Sequence, residues 1–152
     1  VDRDWEPYYE GRSEHPLGEA ENMFVDESGA VRHAGKHLHP ESAGAHLCGE
    51  FLGLWRMSTE GTRRFRAAFE ALDTELTPTE PFQQAAEWRR AYITDMAQHL
   101  IDAGTRIDAA LIERGWAELD TAQDYERLSS VAGRQGMITL ETALASMQRE
   151  DA

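Results

Sequence analysis

The stretch "ENMFVDESGAVRHAGK", Glu21 to Lys36, decides how the middle of the chain folds. Two short apolar runs flank the turn-forming cluster "DESG". This pattern is typical of a β-hairpin, so we expect antiparallel strands near residues 22–26 and 31–36. The hairpin would place Lys36 at the end of its second strand.

Strand-like and helix-like segments alternate after the hairpin. We expect a buried strand near residues 47–57 in "LCGEFLGLWRMS" and another near 106–119. Helical spacing predicts three helices: "STEGTRRFRAAFEAL", one long amphipathic helix in "FQQAAEWRRAYITDMAQHLIDAG" that ends at Gly104, and "TAQDYERLSSVAG". A terminal helix is expected in "MITLETALASMQRE". The fold class is therefore α/β, with a partial mixed sheet and flanking helices.

Composition excludes several classes of protein. The net charge of −13 argues against nucleic-acid binding, which needs basic patches that face phosphates. No apolar run is long enough for a transmembrane helix, and no signal peptide is recognisable, so we expect no membrane partner. Cys48 is the only cysteine, so no internal disulfide can form and a cytoplasmic setting is expected.

Two details of the composition bear on function. The basic residues are fourteen arginines and one lysine, Lys36, and a single lysine in such an arginine-rich chain is a weak indication of a site. Because the chain begins with Val1 and not with Met, we expect it to be a processed product or a fragment of a longer protein.

The segment "GWAELDTAQDY" carries two carboxylates where a strand is expected to give way to a helix. In a strand, Glu118 and Asp120 would point to the same face, and they would repel each other unless a proton or cation lay between them. Mg²⁺ typically binds one or two carboxylates together with substrate phosphates. Spacing alone leaves two interpretations open: a metal site, or an Asp120 that caps the next helix beside a solvated Glu118.

Two other groupings carry weaker hypotheses. A zinc site is conceivable where several ligand-type residues lie close in sequence, although their spacing fits no strong zinc pattern and a polar loop explains them equally well. These residues are His33, His37, His39, His46 and Cys48. The aromatic residues Trp5, Tyr8 and Tyr9 suggest a box for a quaternary ammonium group, although such clusters are more often packing.

Several segments together resemble the nucleotidyltransferases that act on phosphocholine and on phosphonates. "GWAELDTAQDYERL" is similar to their "W-x-E-I-D-T-x-x-D" segment, and the resemblance also covers the hairpin, "GEFLGLWRMSTEG" and "AYITDMAQHLIDAG". The order matches over roughly residues 1–127. The likeness is greatest to the cytidylyltransferase domains attached to phosphoenolpyruvate phosphomutase in phosphonate biosynthesis.

The resemblance implies a role for each candidate residue. Glu118 and Asp120 would be Mg²⁺ ligands, with Asp120 catalytic. Lys36 would contact the transferring phosphates and the substrate, and would also be catalytic. Glu50 would contact the substrate head group, unless it is a buried glutamate paired with an arginine. Arg12 would bind the acceptor's phosphoryl or phosphonyl group, and an ordinary loop arginine is the equal alternative.

The resemblance also implies that part of the domain lies elsewhere. The family opens with a Gly-rich loop that holds the nucleotide phosphates, and residues 1–152 contain no such loop. We therefore expect residues 1–131 to be the C-terminal half of a Rossmann-like nucleotidyltransferase domain, and residues 132–152 to be a helical tail. The expected partners are CTP or another nucleoside triphosphate, a small phosphonate or phosphomonoester, and the missing half or a second copy. The alternative is a non-catalytic domain that serves assembly or regulation.

Overall fold

The computed structural model of the protein describes residues 1–135, and their side chains as far as residue 130. The chain divides into two compact units. The first comprises Val1–Glu10 and Leu17–Gly115. The second comprises Gly11–Pro16 and the described part of Trp116–Ala152. Among the described residues, no helix is both long enough and apolar enough to cross a membrane.

A three-stranded antiparallel sheet organises the first unit. Strand β1 (Asn22–Val25) lies in the centre, between β2 (Val31–Gly35) and β3 (Leu47–Glu50). All four residues of β1 are buried, which is expected of a strand bonded on both edges and covered on both faces. The pairing of β1 with β2 shifts between Phe24 and Val25. The predicted hairpin is therefore confirmed.

The turn of the hairpin depends on Asp26. Its Oδ1 accepts hydrogen bonds from the backbone amides of Ser28, at 2.8 Å, and Ala30, at 3.0 Å. Gly29 has a φ of 80°, a conformation that glycine adopts without a steric penalty. Hydrogen bonds from the Ser28 side chain and from Arg32 lower the pKa of Asp26 below its ordinary value. The charged carboxylate therefore organises the loop.

Beyond β3 the sheet continues as single residue pairs. Asp2 forms an antiparallel bridge with Glu50, with N–O distances of 2.9 Å in both directions. Asp2 also forms a parallel bridge with Ile112. The named strands of residues 1–135 are thus entirely antiparallel, and the mixed character that we expected is confined to this isolated bridge. The described residues agree with the α/β class only in the general sense of a fold with both helices and strands.

Two helices belong to the first unit. Helix α1 (Thr59–Glu75) begins as predicted, with the Ser58 Oγ accepting a hydrogen bond from the Gly61 amide at 3.0 Å. Helix α2 (Ile93–Asp102) packs on β2, where the Gln98 side chain accepts a hydrogen bond from the Ala34 amide at 2.8 Å. The main buried cluster lies between sheet and helix and comprises Met23, Val25, Val31, Ala34, Phe51 and Ala97.

The prediction of one long helix that begins near Phe82 is wrong. Phe82 pairs with Ala85 across a tight turn in which Gln83 has a φ of 51°, and a 3-10 helix follows at Trp88–Arg90. The apolar residues of this segment occur at helical spacing because they pack against α1 and α2, which periodicity alone cannot distinguish from helix formation. The predicted end of the helix is confirmed, since Gly104 follows α2 with a φ of 79°.

Two strand predictions also need correction. The strand expected over 47–57 ends at Glu50, because its partner β1 begins at Asn22, which is paired with Glu50. The strand expected over 106–119 is reduced to isolated bridges at Asp108 and Ile112. Residues Arg114 and Gly115, with φ of 54° and 81°, then turn the chain, so the carboxylate segment follows a turn instead of ending a strand.

The second unit contains helix α3 (Ala122–Gln135). Thr121 and Asp124 form a capping box at its start: the Asp124 amide donates to Thr121 Oγ1 at 3.1 Å, and the Thr121 amide donates to Asp124 Oδ2 at 3.2 Å. The terminal helix expected in residues 137–150 lies outside the described residues. The division into 1–131 and 132–152 stays a prediction.

The first prediction concerns Gly49, where the N-terminal residues approach β3 most closely. A Cβ at this position would lie 2.6 Å from Val1 Cγ1 and 2.8 Å from the Asp2 carbonyl oxygen. Because one obstacle is backbone, Gly49→Ala should separate Asp2 from Glu50 and lower the free energy of unfolding by about 1–3 kcal/mol. The measurement is the midpoint of urea unfolding. Gly18→Ala is the matched control, because nothing lies within 4 Å of a Cβ there. Equal midpoints for the two variants would contradict the prediction.

Candidate functional site

Glu118 and Asp120 lie in an irregular segment just before α3. Burial raises the pKa of Glu118, and the negative charge of Asp120 raises it further, while Arg12 opposes this effect. The negative charge of Asp120 thus acts on Glu118, although no strand holds the two on a common face. A turn and a helix start bring them together instead.

The buried side chain of Arg12 connects the loop Gly11–Pro16 to α3. Its Nε and Nη2 donate to the two carboxylate oxygens of Asp124, at 2.8 and 2.9 Å. Both side chains are almost completely buried. Burial alone would raise the pKa of Asp124, but hydrogen bonds from Arg12 and Thr121 outweigh it and lower the pKa. The arginine that we assigned to the acceptor's phosphorus group thus has its guanidinium engaged in a two-pronged contact within the protein.

The loop is bonded to the start of α3 at several further points. The Gln123 side-chain oxygen accepts hydrogen bonds from the amides of Ser13, at 2.8 Å, and Glu14, at 3.2 Å. The Gln123 amide donates in return to Glu14 Oε2 at 3.3 Å. These contacts hold the loop against the first turn of the helix, so the side chains around Asp120 belong to a locally rigid arrangement.

Asp120 is the most accessible member of this group. Its Oδ2 lies 3.6 Å from Arg12 Nη2 and 3.3 Å from His15 Nδ1, and nearly half of its side chain is exposed. Two neighbouring carboxylates supply the oxygen ligands that Mg²⁺ prefers. The residues present therefore fit the ligands that the protein would supply to a magnesium site. Among the described residues, no group of three or more His, Cys, Asp or Glu side chains is arranged to hold a metal by itself.

Lys36 lies in the first unit, directly after β2. Its Nζ is 2.6 Å from Glu19 Oε2 and donates to Tyr92 Oη at 3.1 Å. The ammonium group also lies 4.6 Å from the centroid of the Tyr92 ring, within the range of a cation–π contact. The hydrogen bond with Glu19 raises the pKa of Lys36, against the opposing effect of burial. The lysine is therefore charged and held in place.

A second carboxylate lies close to Lys36. Burial raises the pKa of Glu21, and the hydrogen bond from Thr94 Oγ1 at 2.9 Å together with the charge of Lys36 offsets part of that rise. Thr94 stands in the first turn of α2 and is itself buried. The surroundings of Lys36 are thus built from the hairpin, the segment before it and the start of α2.

Glu50 is buried at the end of β3 and accepts a hydrogen bond from the Tyr9 hydroxyl. Its backbone pairs with Asp2 on one side and with Asn22 on the other. We had considered an arginine as the alternative partner of Glu50, and the structure shows a hydrogen bond from the Tyr9 hydroxyl. Its predicted contact with a substrate head group stays a prediction.

The weaker hypotheses find little support. Trp5 and Tyr9 are buried, with their rings 5.7 Å apart at 85°, and they form a small core with Ala20. These two aromatic residues thus pack in a small core, which was the alternative to a box for a quaternary ammonium group. The histidines near Cys48 do not form a metal-ligating group in the part of the chain that the structure describes. Burial raises the pKa of the Cys48 thiol to about 11, so the thiol is protonated at neutral pH.

The candidate residues fall into two groups. Arg12, Glu118 and Asp120 meet in the second unit, while Lys36 and Glu50 belong to the first. Sequence reasoning missed the residues that hold them, namely His15 and Asp124 in the second unit and Glu19, Tyr92 and Asp95 in the first. One signal was available: in "YITD" an Asp follows three residues after Tyr92, which marks a helix start inside the segment that we expected to be one helix.

No protein-family model, curated protein sequence or solved structure matches the chain.

The second prediction concerns the pH dependence of α3. The pKa of Asp124 is lower in the folded protein than its ordinary value of 3.8, so its charge stabilises the fold above about pH 4 and this contribution is lost as the pH falls further. Asp124→Asn should abolish that part of the acid dependence. At neutral pH it should destabilise the second unit by about 3–5 kcal/mol, because it breaks a buried ion pair.

Amide hydrogen exchange over residues 122–130 measures this effect without interference from the first unit. Glu126→Gln, an exposed position on the same helix, is the control. If both variants exchange at the wild-type rate at pH 7 and at pH 3.5, the contact between Arg12 and Asp124 does not support the helix.

Proposed function

We propose that this chain is the acceptor- and metal-binding half of a magnesium-dependent cytidylyltransferase. The complete enzyme would join CTP to a phosphonate such as 2-hydroxyethylphosphonate, or to a phosphocholine-like phosphomonoester, and release pyrophosphate. The observation that carries the proposal is the pair Glu118 and Asp120, two interacting carboxylates beside a helix start, of which one has a raised pKa. The ordered resemblance of residues 1–127 supplies the reaction class.

The chain's own residues would act by position and charge. In such a reaction an acceptor oxygen attacks the α-phosphorus of the nucleotide, and pyrophosphate leaves from the opposite side. Glu118 and Asp120 would hold Mg²⁺, which neutralises charge on the phosphates when it is bound. Lys36 would donate a hydrogen bond to a phosphate or phosphonate oxygen. No covalent intermediate on the protein is needed, since positioning and electrostatic stabilisation supply the catalysis.

The role proposed for Arg12 changes with the structure. Its guanidinium is bound to Asp124 and lies 3.6 Å from Asp120. Arg12 would therefore support the metal-binding carboxylate, and a contact with the acceptor would use only the donor capacity that these bonds leave. This role explains why a buried arginine stands in the loop Gly11–Pro16.

A partner that supplies the nucleotide-binding half is part of the proposal. Leu54 is 83% exposed in the segment after β3, and it borders a cavity of about 550 Å³ together with Phe51, Trp55 and Ile107. The indole nitrogen of Trp55 is buried and has no hydrogen-bond partner within residues 1–135. Apolar surface of this kind supports association with the missing half of the domain or with a second copy.

A non-catalytic role in assembly or regulation is the second candidate. The observation that favours it is the environment of Asp120, where Arg12 already provides a compensating positive charge 3.6 Å away. A carboxylate balanced by the protein's own cation has no need of a metal. Transfer of CMP by the protein expressed from its complete coding region, with Mg²⁺, CTP and 2-hydroxyethylphosphonate, distinguishes the two candidates.

The third prediction tests the carboxylates in that assay. Asp120→Asn keeps the shape of the side chain but removes a metal-binding charge, so kcat should fall by about 100-fold or more. The folded fraction should be unchanged, since Asp120 is half exposed. Glu27→Gln in the hairpin turn is the control. Near-normal pyrophosphate release by the Asp120 variant at saturating Mg²⁺ would contradict the metal assignment.

The fourth prediction tests Lys36. Its pair with Glu19 is partly exposed, so Lys36→Ala should change the melting temperature little, because such pairs contribute about 0–1 kcal/mol. The same substitution should lower kcat/KM by at least about tenfold through loss of a charged hydrogen bond. Arg32→Ala, which removes a cation and its ion pair from β2, should retain activity. Equal kcat/KM values in the two variants would remove Lys36 from the site.

A further inference from the structure

Asp95 connects two separate parts of the chain at the start of α2. Its carboxylate is buried, with only 2% of the residue exposed. Oδ2 accepts a hydrogen bond from the Tyr92 amide at 2.8 Å, and Oδ1 accepts one from the Gln84 amide at 3.0 Å. The first bond is an ordinary helix cap. The second reaches eleven residues back along the chain, which capping does not require.

The first connection leads directly to the lysine. Tyr92, whose backbone Asp95 fixes, presents both its hydroxyl and its ring to the ammonium of Lys36. The residue is 44% exposed, and its backbone amide is held by Asp95. We expect a change at Asp95 to move the ring through this backbone contact.

The second connection leads to the backbone on both sides of the lysine. The Gln84 side-chain oxygen accepts a hydrogen bond from the amide of His37 at 3.3 Å. The same side chain covers Gly35 so closely that a Cβ there would overlap its amide group. Gln84 thus contacts the residue before Lys36 and the residue after it. Its own backbone is held by Asp95.

We propose that Asp95 is a positioning residue for Lys36, acting through Tyr92 on the ammonium group and through Gln84 on the flanking backbone. The inference rests on the proposed function, in which Lys36 contacts a phosphoryl or phosphonyl oxygen. An ammonium group has three N–H donors. Glu19 and Tyr92 engage two of them. The proposed function assigns the third to the substrate oxygen.

Buried support of this kind has a chemical purpose. A free lysine side chain has several rotatable bonds and loses conformational entropy when it binds an anion. The contacts around Lys36 restrict its side chain during folding, so little further conformational entropy is lost when the substrate binds. Asp95 acts on Lys36 through Tyr92 and Gln84, whose backbone amides donate to its carboxylate.

The single lysine makes the proposal directly measurable. Selective incorporation of ¹³C,¹⁵N-lysine labels Lys36 as the only lysine of the sequence and leaves its three N–H donors intact. NMR then reports the chemical shift and the titration of this one side chain. The wild-type pKa should lie above that of an ordinary lysine.

Three variants test the two connections. Asp95→Asn, Tyr92→Phe and Gln84→Ala should each move the Lys36 resonance, and the first two should lower its pKa. The effect of Asp95→Asn should be largely lost in the Tyr92→Phe background, because both act on the same contact. Asp102→Asn, at the other end of α2, should leave the resonance unchanged. An unchanged Lys36 resonance in folded Asp95→Asn would overturn the proposal. If circular dichroism shows that Asp95→Asn does not fold, unchanged resonances in both Tyr92→Phe and Gln84→Ala would overturn it.

Addition of 2-hydroxyethylphosphonate to the labelled wild-type chain separates this inference from the proposed function. A Lys36 resonance that responds to the phosphonate and to Asp95→Asn supports both. A resonance that responds to Asp95→Asn but not to millimolar phosphonate counts against the proposed function and leaves the positioning intact. A resonance that responds to the phosphonate but not to Asp95→Asn overturns the positioning role and leaves the proposed function standing.

Discussion

The first unit depends on one constraint: every backbone group of the buried strand β1 must find a partner. With four residues buried, β1 is bonded to β2 on one edge and to β3 on the other. An unpaired N–H or C=O in this position would lose its bonds to water without replacement. The ends of β1 therefore limit its neighbours, and β3 stops at Glu50 opposite Asn22. The Phe51 amide still donates to the Glu21 carbonyl at 2.7 Å, but no named strand lies beside the residues that follow, among which Leu54 is exposed.

The candidate functional groups follow a similar rule, in which one buried carboxylate organises each neighbourhood. Asp95 receives two backbone N–H groups beside Lys36, and Asp124 receives the guanidinium of Arg12 beside Asp120. A buried carboxylate is tolerated only when its charge is hydrogen-bonded, so each fixes the groups that bond to it. Both stand at the third position of a helix, where the backbone already presents donors. The more exposed residues, Lys36 and Asp120, are held around these anchors.

What the sequence could predict was local. The cluster "DESG" predicted the hairpin because Asp26 organises its own turn, and Ser58 and Thr121 predicted helix starts because caps act within four residues. The prediction of one long helix was wrong because Phe82 and Trp88 pack against each other in the tertiary structure without forming a helix. Their ring centroids lie 4.9 Å apart. The prediction of a strand over 106–119 was wrong because a strand needs a neighbouring strand to pair with, which no local pattern specifies. The hydrogen bond from the Gln84 amide to Asp95 could not be predicted either, because the apolar periodicity placed both residues in one helix.

Glu118 and Asp120 lie near each other for a reason other than the predicted strand. We paired the two residues because alternate residues of a strand share a face, yet they lie in an irregular segment. Their interaction instead follows from the capping box: Thr121 and Asp124 fix where α3 begins, and Arg12 binds Asp124 while it approaches Asp120. A helix start with a buried acid at its third position thus places the preceding carboxylates as reliably as a strand would. The motif "ELDTAQD" is consequently best understood as one unit, in which the last Asp determines the position of the first two acids.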